Sequence, residues 1–160
     1  MSRARDEFPT ELSLQVAHPY DEGECTVDMK VELVIVPVSD VDRSKAFYEK
    51  AGFNVDVDHK MGDNFRVVQL TPPGSACSIT IGYGLGHDMA PGSIRGIHLV
   101  VSDIVAAHKQ LTAAGIDVGD VIHYENGERK PGPDPERSKF NSFAELRDPD
   151  GNTFVLQEVP

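Results

Sequence analysis

The sequence predicts an α+β fold made of two tandem βαβββ units, and three observations carry that prediction. Residues 31–53 run as an apolar, β-branched stretch of strand length, then a Ser39-Asp40 cap, then Val41, Ala46, Phe47 and Ala51 at helical spacing. Sixty-three residues later, 94–116 repeat the grammar. Val38-Ser39-Asp40-Val41 is matched by Val101-Ser102-Asp103-Ile104 and Ala51-Gly52-Phe53 by Ala114-Gly115-Ile116, with twelve residues from Asp to Gly in both copies. Each copy is followed by short apolar segments separated by turn residues. A cap, a helix length and a C-terminal glycine in one register mark two copies of one supersecondary unit.

Residues 1–29 form a polar, acidic leader broken by Pro9, Pro19 and Gly23; Leu12, Leu14 and Val16 alternate as a short edge strand would, and a mobile leader fits equally. The domain proper spans 30–159. Its first unit, 31–82, continues from a helix over 41–51 to a strand at 53–58, whose apolar and polar residues alternate as in a strand with one solvated face. A turn at 61–64, a strand at 65–70, a break at Pro72-Pro73-Gly74 and a strand at 76–81 complete it. Residues 82–92 have the composition of a flexible connection. Their Gly-x-Gly-x-Gly lacks the following helix N-terminus that a phosphate cradle requires.

The second unit, 94–159, reads as a strand at 94–102, a helix at 103–114 and strands near 118–123, 143–147 and 153–158. Aligning 74–81 with 151–158 takes an offset of 77 rather than 63, so about fourteen residues are inserted around 124–137. Three prolines and two glycines there predict a loop without regular structure, of a length that often serves as a lid or binding loop.

At 160 residues, 39% hydrophobic and 26% charged, the composition is that of one globular soluble domain. Fifteen basic against twenty-six acidic residues give a net charge of -11, which repels nucleic acid and anionic membranes. No apolar run reaches the roughly 20 residues that span a bilayer, and the start of the chain shows no signal-peptide core. Cys25 and Cys77 suggest no disulfide framework, so the expected compartment is the cytoplasm.

The tandem units, with Val38, Asp40, Ser44, Phe47, Tyr48 and Gly52 in the first, Asp103 and Gly115 in the second, and Asp148-Pro149-Asp150-Gly151-Asn152 before the last strand, resemble the vicinal oxygen chelate superfamily of glyoxalase I, extradiol dioxygenases and bleomycin-resistance proteins. The resemblance covers about 30–159. It implies that each unit curls into half of a cup, giving one cup-shaped, mostly antiparallel sheet system, and that the protein is a homodimer. Metal-dependent relatives hold a divalent ion with His, Glu or Gln seven residues before the cap Asp and four after the glycine of Asp-Pro-Asp-Gly. Those positions here are Leu33, Ser78, Gly96 and Val155, which do not supply the three converging donors such an ion needs. No metal or other cofactor is therefore expected.

One step further along each strand, on the same face, stand Ile35, Thr80, His98 and Gln157. The expected ligand-binding set is therefore Leu33, Ile35, Ser78, Thr80, His98, Val155 and Gln157, with His98 the candidate for any catalytic role. A buried core histidine is the competing reading of His98. Glu32 and Glu158 are out of phase and expected to face away. His123 and Tyr124 stand at the start of the insertion, either over the cup or as strand-end surface. Phe47 and Tyr48 are expected to pack on the sheet, and Phe65, Val67, Gln69, Phe140 and Phe143 are candidate cavity walls. Asp148, Asp150 and Asn152 read as turn formers. Two functions stay open at this level. One is a metal-independent protein binding an apolar or aromatic small molecule, as antibiotic-sequestering relatives do. The other is a lyase, isomerase or dioxygenase type of enzyme using His98 as acid or base, or a displaced metal site.

Overall fold

The computed structural model describes residues 27–160, and the leader strand considered around Leu12–Val16 lies outside them. Residues 31–160 form one compact unit. Its elements follow the two-unit order: β1 (Leu33–Ile35), α1 (Val41–Lys50), β2 (Asn54–Met61), β3 (Phe65–Thr71) and β4 (Ser78–Tyr83), then β5 (Ile97–Val101), α2 (Ile104–Ala113), β6 (Ile122–Glu125), β7 (Glu128–Pro131), β8 (Ser142–Arg147) and β9 (Thr153–Glu158). They make two mixed sheets, in the orders β1-β4-β3-β2 and β5-β9-β8-β6-β7. In each sheet the first strand runs parallel to the last, and the remaining pairs are antiparallel.

The repeated caps act alike. Asp40 accepts a hydrogen bond from the Arg43 N–H and Asp103 from the Ala106 N–H, satisfying donors that a helix start leaves orphaned. Gly52 and Gly115 follow the helices at φ 96° and 72°, where a side chain would be strained.

The inserted segment differs from its expectation. Residues 122–131 form a β-hairpin, β6–β7, instead of an irregular loop, and the stretch expected as a strand from Val118 makes only an isolated bridge to Leu146 before β6 begins. The turn is Asn126-Gly127, both at positive φ (51° and 82°), the sequence that the tightest hairpin turns favour. Only the remainder of the insertion, after Pro131, lacks regular structure.

One core joins the two units. Val68, Leu70, Ile79 and Ile81 of the first sheet cluster with Leu146 and Phe154 of the second, around Tyr48 and Phe53. The Tyr48 ring meets Phe53 and Phe154 at centroid distances of 5.3 and 5.8 Å. Burying each such aromatic contributes about 1.5–3 kcal/mol. The Asp148–Asn152 turn closes the core. Asp148 accepts the N–H groups of Asp150 and Asn152 through Oδ1, and the Tyr48 hydroxyl and the Asn152 amide through Oδ2. Asp150 accepts from Ser39 and Arg43 across the unit boundary. Burial raises its pKa, but these hydrogen bonds outweigh that and hold the carboxyl below its usual range.

Candidate functional site

Because alternate residues of a strand face opposite sides, the residues that build the core also aim the site. With Ile79 and Ile81 in the core, Ser78 and Thr80 turn to the other face, in register with Leu33 and Ile35 of β1. Gln69 and Thr71 of β3 share that face: the Gln69 amide donates to Ser78 Oγ at 3.0 Å, and the Thr71 and Ser78 hydroxyls are 2.7 Å apart. Thr80 is buried and its hydroxyl has no hydrogen-bond partner among the described residues.

In the second sheet Phe154, Leu156 and Glu158 point inward, so Val155 and Gln157 face outward beside His98 and Val100. Glu158 is out of phase as expected. Its buried Oε1 accepts the Ile104 N–H at the start of α2 (3.0 Å) and an N–H of Arg137 (2.5 Å). His98 pairs in register with Val155, and its Nδ1 lies 2.9 Å from Oε1 of Gln157. An amide oxygen only accepts, so Nδ1 carries the proton and Nε2 is left as an acceptor. His98 is an exposed residue of this face and takes no place in the core clusters.

β8 adds Phe143, and β6 adds Tyr124, whose ring meets Phe143 edge-on at 6.0 Å. A cleft of about 600 Å³ opens over this face, walled by His98, Ile122, Tyr124, Phe143 and Val155, with Arg129, Arg147, Glu145 and Asp120 at its polar margin. Arg147 and Glu145 neutralise each other at 2.6 Å. All of these residues belong to the second unit. Leu33, Ile35, Ser78 and Thr80 lie on the first sheet and His98, Val155 and Gln157 on the second, and both faces turn away from the shared core. One chain thus brings His98, Gln157 and Val155 together, and separately Ser78, Thr80, Leu33 and Ile35.

His123 neither overhangs the cleft nor forms exposed strand end; it is buried on the side of β6 opposite Tyr124. Phe140 is exposed, whereas Phe143 walls the cleft. Arg129 escaped the sequence reading, because it reaches the face only through the β6–β7 hairpin that Asn126-Gly127 encodes. The side chains at the usual metal-ligand positions do not fit a divalent ion. Leu33 and Val155 are hydrocarbon, Gly96 has no side chain, and the Ser78 hydroxyl is engaged with Gln69 and Thr71. Among the described residues no three His, Cys, Asp or Glu side chains converge as a metal site.

A βαβββ unit and a second one enlarged by the β6–β7 hairpin to five strands, back to back on one core and each with an outward sheet face, define a class of small α+β proteins built around strand-lined clefts. The chain belongs to the Glyoxalase/Bleomycin resistance protein/Dioxygenase superfamily, whose family model matches residues 30–156. Among solved structures it is similar to TnmS3, an antibiotic binding protein from Streptomyces sp. CB03234, with 30% identity over 84% of this chain and 99% of that one and a TM-score of 0.65. It is likewise similar to a superfamily member from Sphaerobacter thermophilus DSM 20745, at 29% identity, 82% and 98% coverage and a TM-score of 0.63. A further relative is YetH of Bacillus subtilis (strain 168), 26% identical over 134 residues, which cover 81% of this chain and 98% of YetH. Among the described residues no helix is long and apolar enough to cross a membrane.

Proposed function

We propose that the protein is a cytoplasmic, metal-independent binder of apolar or aromatic small molecules, acting as a homodimer, with sequestration of an antibiotic as its biological use. The observation that carries this reading is the cleft on the second sheet. An edge-to-face Tyr124–Phe143 pair and the aliphatic Ile122 and Val155 offer apolar contact, while His98, held by Gln157, offers a fixed hydrogen-bonding group. Apolar walls with a few placed polar groups are the usual make-up of a ligand pocket. Likeness to an antibiotic binding protein supports the same reading.

A second copy completes the site in this proposal. Within one chain the Ser78–Thr80 face and the His98–Gln157 face look away from the same core, and Val100 (61% exposed), Tyr124 (49%) and Met61 (66%) leave apolar surface uncovered. Docking the first-unit face of one copy over the second-unit face of another would enclose a ligand between strands of both units. His98 also supports a second reading, as an enzyme's general base, because it lines the cleft and its bond from Nδ1 to Gln157 leaves Nε2 as the nitrogen to accept a proton.

Metal analysis and a search for co-purified ligand, both on tag-free protein, separate the readings. An extractable aromatic compound without stoichiometric metal supports the binder. Stoichiometric Mn, Fe, Ni or Zn that is lost on His98→Ala contradicts it.

A further inference from the structure

The β6–β7 hairpin and the segment after it enclose a second cleft, of about 430 Å³, on the side of β6 away from the proposed small-molecule site. His123 lines it. This residue is only 7% exposed, and its Nδ1 lies 2.9 Å from the Gly132 carbonyl oxygen. A carbonyl can only accept, so Nδ1 donates and the ring presents Nε2, for which no protein partner exists among the described residues. A buried imidazole locked by one hydrogen bond, with its other nitrogen free at a cavity, is the arrangement of a side chain that receives a ligand's donor.

Three carboxylates also line the cleft. Glu125 follows His123 two residues along the strand and shares its face, and Glu136 and Asp134 come from the segment that folds over it. Asp134 is built in. It accepts the N–H groups of Glu136 (3.2 Å) and Ser138 (3.0 Å) and the Asn141 amide (3.2 Å), while its own N–H donates to Ser142 Oγ at 3.0 Å. Hydrogen bonds from Ser138 and Asn141 lower its pKa to about 2, so it is a carboxylate at neutral pH. Two neighbouring cations have partners of their own: Lys130, opposite His123 in the hairpin, pairs with Glu128 at 2.6 Å, and Arg137 with Glu158. A chain carrying -11 net charge draws cations to such a cleft.

From the free imidazole nitrogen and the carboxylates around it, we propose that this cleft is a binding site for a protonated amine, which donates one N–H to His123 Nε2 and is neutralised by Glu125, Asp134 and Glu136. A divalent metal is the poorer complement, since these donors do not converge as a metal set. The site lies across β6 from the small-molecule cleft, and the walls of the two share Tyr124 alone.

The test is a titration of the full chain with 1,4-diaminobutane at constant ionic strength, followed by calorimetry and by the NMR signals of the His123 ring. Saturable 1:1 binding that moves those signals is expected. Glu125→Gln combined with Glu136→Gln, both at exposed positions, should weaken it about tenfold, and His123→Gln by a similar factor, the worth of a charge-assisted contact. Tetramethylammonium carries the charge without an N–H and should bind at least about tenfold more weakly. Three outcomes overturn the proposal: no saturation by the diamine, equal affinity for tetramethylammonium, or stoichiometric uptake of ZnCl₂ at His123 that excludes the diamine. Because the Gln variants of the two exposed glutamates leave the core untouched, they decide the matter even if His123→Gln fails to fold.

Discussion

The Tyr48 hydroxyl donates a 2.8 Å hydrogen bond to Asp148 Oδ2, joining a helix of the first unit to the turn before the last strand, a hundred residues away. Both residues are buried, Tyr48 fully, and burial together with the Asp148 charge drives the phenol's pKa far above its ordinary value. Tyr48 therefore stays protonated and donates across the whole accessible pH range.

Removing that donor alone should be costly, because the Asp148 carboxylate stays in place with one fewer partner. Tyr48→Phe keeps the ring packing against Phe53 and Phe154, so the loss reads the hydrogen bond. We expect about 1.5–3 kcal/mol of destabilisation in urea unfolding, the range for a hydrogen bond to a charged group. A change below about 0.5 kcal/mol would mean that the bond does not hold the units together.

Asp134 predicts a pH dependence. Its folded pKa is lowered from 3.8 to about 2, first by Ser138 and then by Asn141. A depressed carboxylate favours the folded state fully above its unfolded pKa, and that contribution disappears as pH falls through the folded value. The segment after Pro131 should therefore loosen between about pH 4 and pH 2. Hydrogen exchange of the Glu136 and Ser138 amides should show this acid step, and Asp134→Asn should abolish it. Amides whose protection is flat across that window would contradict the assignment.

The exposed Val100, Tyr124 and Met61 predict a dimer. Light scattering should return twice the 17.5 kDa chain mass. The chain mass alone, over a wide concentration range, would end the composite-site proposal.

The helices were legible because each carries its own start and stop signal: Asp40 and Asp103 cap them, and Gly52 and Gly115 end them. The phase of the last strand was legible as well, since alternation alone sends Glu158 inward and Gln157 outward. The hairpin at 122–131 was not, because Pro131, Pro133 and Pro135 suggest a loop while the decisive signal is the two-residue Asn126-Gly127 turn. Nor could the strand pairing be read from the repeat. Leu33 pairs with Ser78, but Gly96, its counterpart by helix spacing, lies two residues before the partner of Val155, which is His98. That shift is a property of how two strands meet: it puts His98 opposite Val155 and Val100 opposite Gln157, so that the Gln157 side chain reaches the His98 ring from two residues along the strand. The tie between Tyr48 and Asp148 is equally invisible in one dimension, as neither residue's neighbours specify a partner so distant in sequence.

In the proposed function His98, held by Gln157, orients an aromatic ligand over the Tyr124–Phe143 pair. The most direct measurement of that role is calorimetric titration of wild type and His98→Ala with a panel of fused-ring aromatic compounds, each protein also being melted without ligand. Since His98 is exposed and outside the core, the two melting curves should coincide, while affinity for the best compound should fall by the worth of one polar contact, roughly 1–3 kcal/mol. Unchanged affinity with a lowered melting temperature would contradict the account, making His98 a residue of the fold and not of the site.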